Sequence, residues 1–335
     1  MARDSVHQQV QFGVEPLGAG GIAVGANIIL PYLDLSLGIR PDVTAWRGAG
    51  QKYTQATAVW REMTEGTLRG LPAYNDLLYL FACNLGLPTT TRIGTTTAYR
   101  HVFESKAASP DIRGSLTVEQ GDPSPYAGTL LAHRTTHVSF PELQLEWTRV
   151  AEPTLSGRCL GTELELMTSP MTPAQRVEHV PILPGEVLLF CDTTAGGIGS
   201  TRLLNVRRAS FRSANMFNPQ WDLDAIPGWS RMVDTQPEMQ MQILMAAGDQ
   251  GMAFLDTMRN GDVRYLRLAA ESVRLAGEVT HYLLQLDMAG VVTAVEPFAN
   301  DEGVYAVGWT FAATPALTGG VPLRATLVNK VVAFA

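Results

Sequence analysis

The chain has 335 residues, of which 46% are hydrophobic and 17% charged, with a formal net charge of −7 and a pI of about 5.4. That length accommodates two domains of ordinary size, each with its own core, and the composition is globular rather than disordered. The acidic balance argues against a surface that grips nucleic-acid phosphates by charge.

The N-terminus, MARDSVHQQVQ, is polar and has no apolar h-region of a secretory signal. The most apolar stretch, IAVGANIILPYLDLSL, is interrupted by Pro31 and Asp34 and is too short to span a bilayer. Residues 39–52, with turn formers, basic residues and a Trp, predict a long loop projecting from the first half of the chain. Thr54–Arg69, rich in Thr, predicts an extended segment. In LPAYNDLLYLFACNLG, Tyr74, Leu77, Leu78, Phe81 and Leu85 form one stripe at helical spacing, and Gly86 is the expected stop. TTTAYRHVFES reads as extended, and GSLTVEQGD as a strand ending in a Gly-Asp turn. In ELQLEWTR, Leu143, Leu145 and Trp147 share one face and polar residues the other, the period of a half-buried strand. MTSPMTPAQ, residues 167–175, suits an exposed linker.

The second half follows a similar order. MQMQILM alternates, and QGMAFLDTMRNG predicts a short helix ended by Asn260-Gly261. RYLRLAAESV and HYLLQLDMAGVV then predict strands, with Tyr282, Leu284, Leu286 and Met288 on one face. The strand VYAVGWTF places Tyr305, Val307, Trp309 and Phe311 together. Both halves therefore predict a small β-sandwich or barrel with one packed helix.

Two phrases suggest that this similarity is a duplication. EWTRVAEPTLSG and GWTFAATPALTG share W-T-x-x-A-x-P-x-L-[S/T]-G at an offset of 162, and AGTLLA and AGVVTA match at the same offset. Trp147, Pro153, Leu155 and Gly157 thereby correspond to Trp309, Pro315, Leu317 and Gly319. The expected division is a first domain over 1–166, a linker over 167–175 and a second domain over 176–335. The repeated residues serve packing and turns; a duplicated catalytic site would repeat acids, bases or nucleophiles.

Signals for chemistry are weak. GAGGIAVG (Gly18–Gly25) lacks the strand-turn-helix frame of a dinucleotide fingerprint, and AGGIGSTR (Ala195–Arg202) lacks the Gly-Lys-Ser/Thr of a phosphate loop. His133 and His137 lie on an extended segment, about 13 Å apart and too far to share a zinc. No pair among Glu142, Glu146 and Glu163 is singled out by spacing. Cys83, Cys159 and Cys191 have unrelated spacings and predict reduced, buried thiols in a cytosol-made protein. The expectation is no catalytic, metal or cofactor site.

The segment TAYRHVFESK…PDIRGSLTVEQGD…YAGTLLAHRTTHVSFPELQLEWTRVAEPTLSG resembles the tail tube (major tail) proteins of long-tailed, siphovirus-like bacteriophages, and VYAVGWTFAATPALTGGVPLRATLVN carries a matching end. The resemblance covers most of residues 28–165 and about 200–330 and rests on packing signatures. It implies two tandem tail-tube-type β-sandwich domains, rings whose inner strands form a continuous barrel, and stacking of rings into a hollow tube that conducts DNA. Most members carry one such domain in hexameric rings, so two per chain implies a homotrimeric pseudo-hexamer. The second unit is expected to lack a loop like 39–52. In the first, Arg40, Asp42, Trp46, Arg47 and Lys52 are the expected inter-ring contacts. The implied partners are further copies of itself, tape measure, tail terminator and baseplate proteins, with DNA passing through an acidic lumen unbound, in a virion tail assembled in the host cytoplasm. The alternatives are a two-domain β-sandwich module binding carbohydrate or a receptor, a related terminator, baseplate or contractile-injection ring, and a β-sandwich hydrolase. A binding module would cluster exposed aromatics, for which Trp46, Trp221 and Trp229 are scattered candidates.

Overall fold

The computed structural model describes residues 9–17, 21–121, 132–168, 171–223, 228–275 and 280–334. The chain is mainly β. Its first half contains β1 (Gln9–Val14), β2 (Ile28–Ile29), β3 (Leu33–Trp46), β4 (Ala56–Gly70), α1 (Asp76–Asn84), β5 (Thr89–Arg92), β6 (Tyr99–Glu104), β7 (Leu116–Gly121), β8 (Ala132–Thr148), β9 (Thr154–Gly161) and β10 (Leu164–Leu166). The second contains β11 (Gln175–Arg176), β12 (Val187–Asp192), β13 (Val206–Ala214), β14 (Phe217–Gln220), β15 (Arg231–Asp234), β16 (Glu238–Ala246), α2 (Asp249–Asn260), β17 (Val263–Arg274), β18 (His281–Val295), β19 (Ala299–Asp301), β20 (Val304–Ala313) and β21 (Leu323–Asn329).

The two halves repeat one topology. In the first, β3 pairs with β4, β4 with β9, β9 with β8, and β8 with β7. In the second, β13 pairs with β16, β16 with β20, β20 with β18, and β18 with β17. Each helix follows the second strand of its unit. Asp76 and Asp249 both open their helices, Phe81 and Phe254 are both buried, and so are Asn84 and Thr257, always 173 residues apart. Both stops behave as expected: Gly86 and Gly261 have φ of +130° and +69°, a region open to glycine.

This spatial repeat does not coincide with the repeated phrase. Trp147 lies at the end of β8, whereas Trp309 is central in β20, the counterpart of β9. Both indoles are buried, but Trp147 Nε1 donates to Ile182 O at 3.3 Å while Trp309 Nε1 has no partner among the described residues. Pro153 is buried just before β9; Pro315 is exposed in a loop. Leu155 packs in the main core, whereas Leu317 joins a small cluster with Ala289 and Val321. Gly157 is needed because a Cβ would sit 2.6 Å from Glu142 O, and Gly319 because its φ is +92°. Like residues thus serve unlike positions, and the 162-residue offset does not mark equivalent strands. Most of AGTLLA lies outside the described residues.

The units are also not separate bodies. One hydrophobic cluster runs from Phe12 to Phe334 and contains the buried apolar side chains of α1 together with Phe254 of α2. β13 pairs directly with β8 from Arg208↔Thr148 to Ser213↔Leu143, and β21 pairs with β6. Ser213 Oγ donates to Asn84 Oδ1 at 2.6 Å, and Asn84 Nδ2 to Phe140 O at 2.7 Å, so a polar link crosses the core where the units meet. The expected linker is partly packed: Met167 and Met171 are buried against Ala132, and Gln175–Arg176 runs parallel to Ile28–Ile29. The expectation of two independent cores is therefore corrected to two fused copies of one topology.

Candidate assembly surface

The β8·β13 junction fuses the four-stranded arrays into one antiparallel sheet in the order β3-β4-β9-β8-β13-β16-β20-β18. Its inward face carries Leu35, Leu68, Leu155, Leu145, Phe211, Met241 and Trp309, all at most 2% exposed. The other face is polar, as strand alternation requires. Across it Glu65 accepts from Arg40 and from Arg158 Nε (2.6 Å), Glu142 accepts from Arg212 Nε (2.8 Å), and Glu296 lies 3.8 Å from Arg208. Partial burial raises the Glu65 pKa, but the hydrogen bond from Arg40 and the charge of Arg158 outweigh it and hold it below the usual carboxylate value. This face therefore carries a ladder of ion pairs of both signs.

Residues 39–52 are not a loop. Residues 39–46 continue β3, which pairs with β4 out to Trp46↔Ala56, and only 47–55 form the turn. Arg40, Asp42 and Trp46 are strand residues; Arg47 and Lys52 lie in the turn. Pro41 is tolerated because β3 pairs with β4 alone among the described residues, and on such an edge a missing N–H need not break the ladder. Arg61 Nε donates to Asp42 at 2.9 Å and Trp60 Nε1 to Thr44 Oγ1 at 2.6 Å, tying the arm together.

The second unit does have a counterpart to this arm. The connection between β13 and β16 spans residues 215–237 and contains the β14·β15 hairpin. The two arms meet, with Arg61 lying over the Trp221 ring at 4.7 Å. Trp46 and Trp60 pack edge to face at 6.0 Å. Trp229, by contrast, is buried and stacked on His137. Three of the six Trp residues therefore gather around the first arm, a grouping that separations of up to 175 positions conceal in sequence.

Elsewhere, polar clusters are occupied by the chain itself. The AGGIGSTR loop folds around Asp192, whose carboxylate accepts from the backbone N–H groups of Gly199 (2.8 Å), Ser200 (3.2 Å) and Thr201 (2.9 Å). The amides that a phosphate would use are thus taken. Burial raises the Asp192 pKa, but the Thr201 and Gly199 hydrogen bonds outweigh it, leaving it low. Buried Glu15 accepts from Ser115, Thr117, Gly21 N and His137 N, tying the residue that follows β1 to β7 and β8. His133 and His137 both lie in β8, and no group of three or more His, Cys, Asp or Glu residues is arranged to hold a metal among the described residues. Of the GAGGIAVG stretch, residues 18–20 lie outside the described residues. Cys83 and Cys159 are buried and Cys191 half-buried, all unpaired with one another; burial pushes the Cys159 and Cys191 thiols up to about 12.

No protein-family model matches the chain, and no curated protein matches its sequence. No helix among the described residues is long and apolar enough to cross a membrane.

Proposed function

We propose that the chain is a structural virion protein that self-assembles into stacked rings forming a phage tail tube. The observation that carries this reading is the β8·β13 junction, where two copies of one topology merge edge to edge into a single sheet. An edge that has joined one such unit to another is suited to joining further units, and closure into a ring leaves no edge exposed. The sequence resemblance supplies the tube, the DNA cargo, and the tape measure, terminator and baseplate partners. Two units per chain make three chains per ring. The test is negative-stain microscopy with native mass spectrometry as protein concentration is raised. Hollow tubes, or rings with sixfold outline and three chains, are expected; compact monomers at every concentration overturn the reading.

The aromatic group of Trp46, Trp60 and Trp221 favours a second reading, a carbohydrate- or receptor-binding module. Glycan binding by a stable monomer, lost in Trp46→Ala and Trp60→Ala, would support that alternative.

A further inference from the structure

The internal junction is a template for an external one. At the two ends of the eight-stranded sheet, the outer edge of β3 and the outer edge of β18 beyond Val291 pair with no strand among the described residues. These are the counterparts of the two edges that meet inside the chain. β13 corresponds to β3, and it lies against the part of β8 that runs on past β7. β18 likewise runs on past β17, whose pairing with it ends at Val263↔Val291.

We infer that β3 of one copy pairs antiparallel with residues 293–297 of a second copy, head to tail, repeating the β13·β8 junction between chains. This deepens the assembly reading and rests on it only for the statement that the chain self-associates.

The registers fix which residues meet. Setting the helices in correspondence makes Met241 the counterpart of Leu68 and Ile243 that of Gly70. Leu35 pairs with Leu68 and Phe211 with Met241, so Leu35 corresponds to Phe211. Leu155 pairs with Gly70 and Trp309 with Ile243, so Leu155 corresponds to Trp309. Leu145 pairs with Leu155 and Val295 with Trp309, so Leu145 corresponds to Val295. Within the chain Phe211 pairs with Leu145; between chains Leu35 pairs with Val295. On the polar face Ser36 then meets Ala294, as Arg212 meets Gln144.

Burial agrees with an absent neighbour on this edge. Leu145 is 0% exposed, whereas Val295, its counterpart at the open end of β18, is 41% exposed; Leu35, the counterpart of the fully buried Phe211, is buried within its own unit at 1%. Phe298 and Tyr305, which follow β18 and open β20, stack on each other at 4.9 Å and are also exposed. The edges are suited to a short joint rather than a running ladder. Pro41 interrupts β3 on one side of the paired segment and Pro297 ends the other strand, and proline cannot donate to a ladder. The interface is heterologous, so repetition closes a ring when the rotation allows it.

The test uses the full chain with Cys191→Ser, adding S36C to one preparation and A294C to another. Both positions are exposed, so neither change opens the core. Under mild oxidation the mixture is expected to give covalent dimers, each single variant alone none, and the double variant a covalent closed series. Val295→Lys is expected to abolish association with an unchanged melting temperature of the monomer, and Val295→Leu to retain association. Self-cross-linking of S36C alone, or association undiminished in Val295→Lys, overturns the joint. Rings and tubes that form without the S36C–A294C cross-link overturn the joint and leave the tube reading standing. Closed, cross-linked rings that never stack support the joint and count against the tube. Monomers at all concentrations overturn both.

Discussion

Phe211→Ala distinguishes one fused body from two tethered domains. The Phe211 ring is fully buried at the junction, flanked by Leu145 from the first unit and Met241 from the second. Truncating such a ring costs about 4 kcal/mol, the lost transfer energy plus the cavity. Unfolding entropy is about 2.1 cal/mol/K per residue, so a 335-residue cooperative unit has about 0.7 kcal/mol/K and its Tm falls by about 6 °C. A second domain of about 160 residues unfolding by itself would have half that entropy and would fall by about 12 °C, leaving the first domain's transition in place. Differential scanning calorimetry of dilute protein reads the difference. One endotherm moving by about 6 °C is expected, with calorimetric and van't Hoff enthalpies in agreement. Two endotherms, only one of which moves, would refute the shared core.

Four other outcomes follow from local chemistry. Asp192→Asn weakens three hydrogen bonds from backbone amides to a charged acceptor and is expected to cost about 2 kcal/mol in urea unfolding at pH 7. Because the folded Asp192 pKa lies below its free value, that contribution is present above about pH 4 and is lost as pH falls through the folded value, so wild type and variant converge in acid. Buried His101 contacts Thr90, Asn329 and the Val331 carbonyl, and burial lowers its pKa despite the hydrogen bonds that raise it. The unfolded chain therefore takes up this proton first: stability present in full above about pH 6.5 declines as pH falls toward the folded pKa, then levels. His101→Gln should flatten that part of the pH–Tm curve. Gly157→Ala should lower stability by about 1–3 kcal/mol, because its Cβ meets the Glu142 carbonyl and Leu143. Gly319→Ala should cost about 1 kcal/mol, because it meets open space and strains only φ.

Patterns of short range were legible in the sequence. Period-two alternation placed Leu143, Leu145 and Trp147 on the buried face of β8, and helical spacing found α1 with its Gly86 stop, because both depend on a few neighbouring residues. The same local view could give only a general reading of the repeat. A shared twelve-residue phrase fixes composition, but equivalence in a sheet is set by which strand lies alongside which, and Trp147 and Trp309 occupy different places in that order. The arm at 39–52 read as a loop because its partner residues lie beyond a turn and its proline resembles a breaker. The Trp cluster and the β8·β13 junction join residues separated by tens to more than a hundred positions. Sequence by itself determined the β-strand periods, the two helices and the sense of doubling, since backbone and side-chain periodicity act locally. Tertiary structure alone decided that the two copies share one core and one sheet, because hydrogen-bonded edges and buried area are satisfied only when distant segments come together.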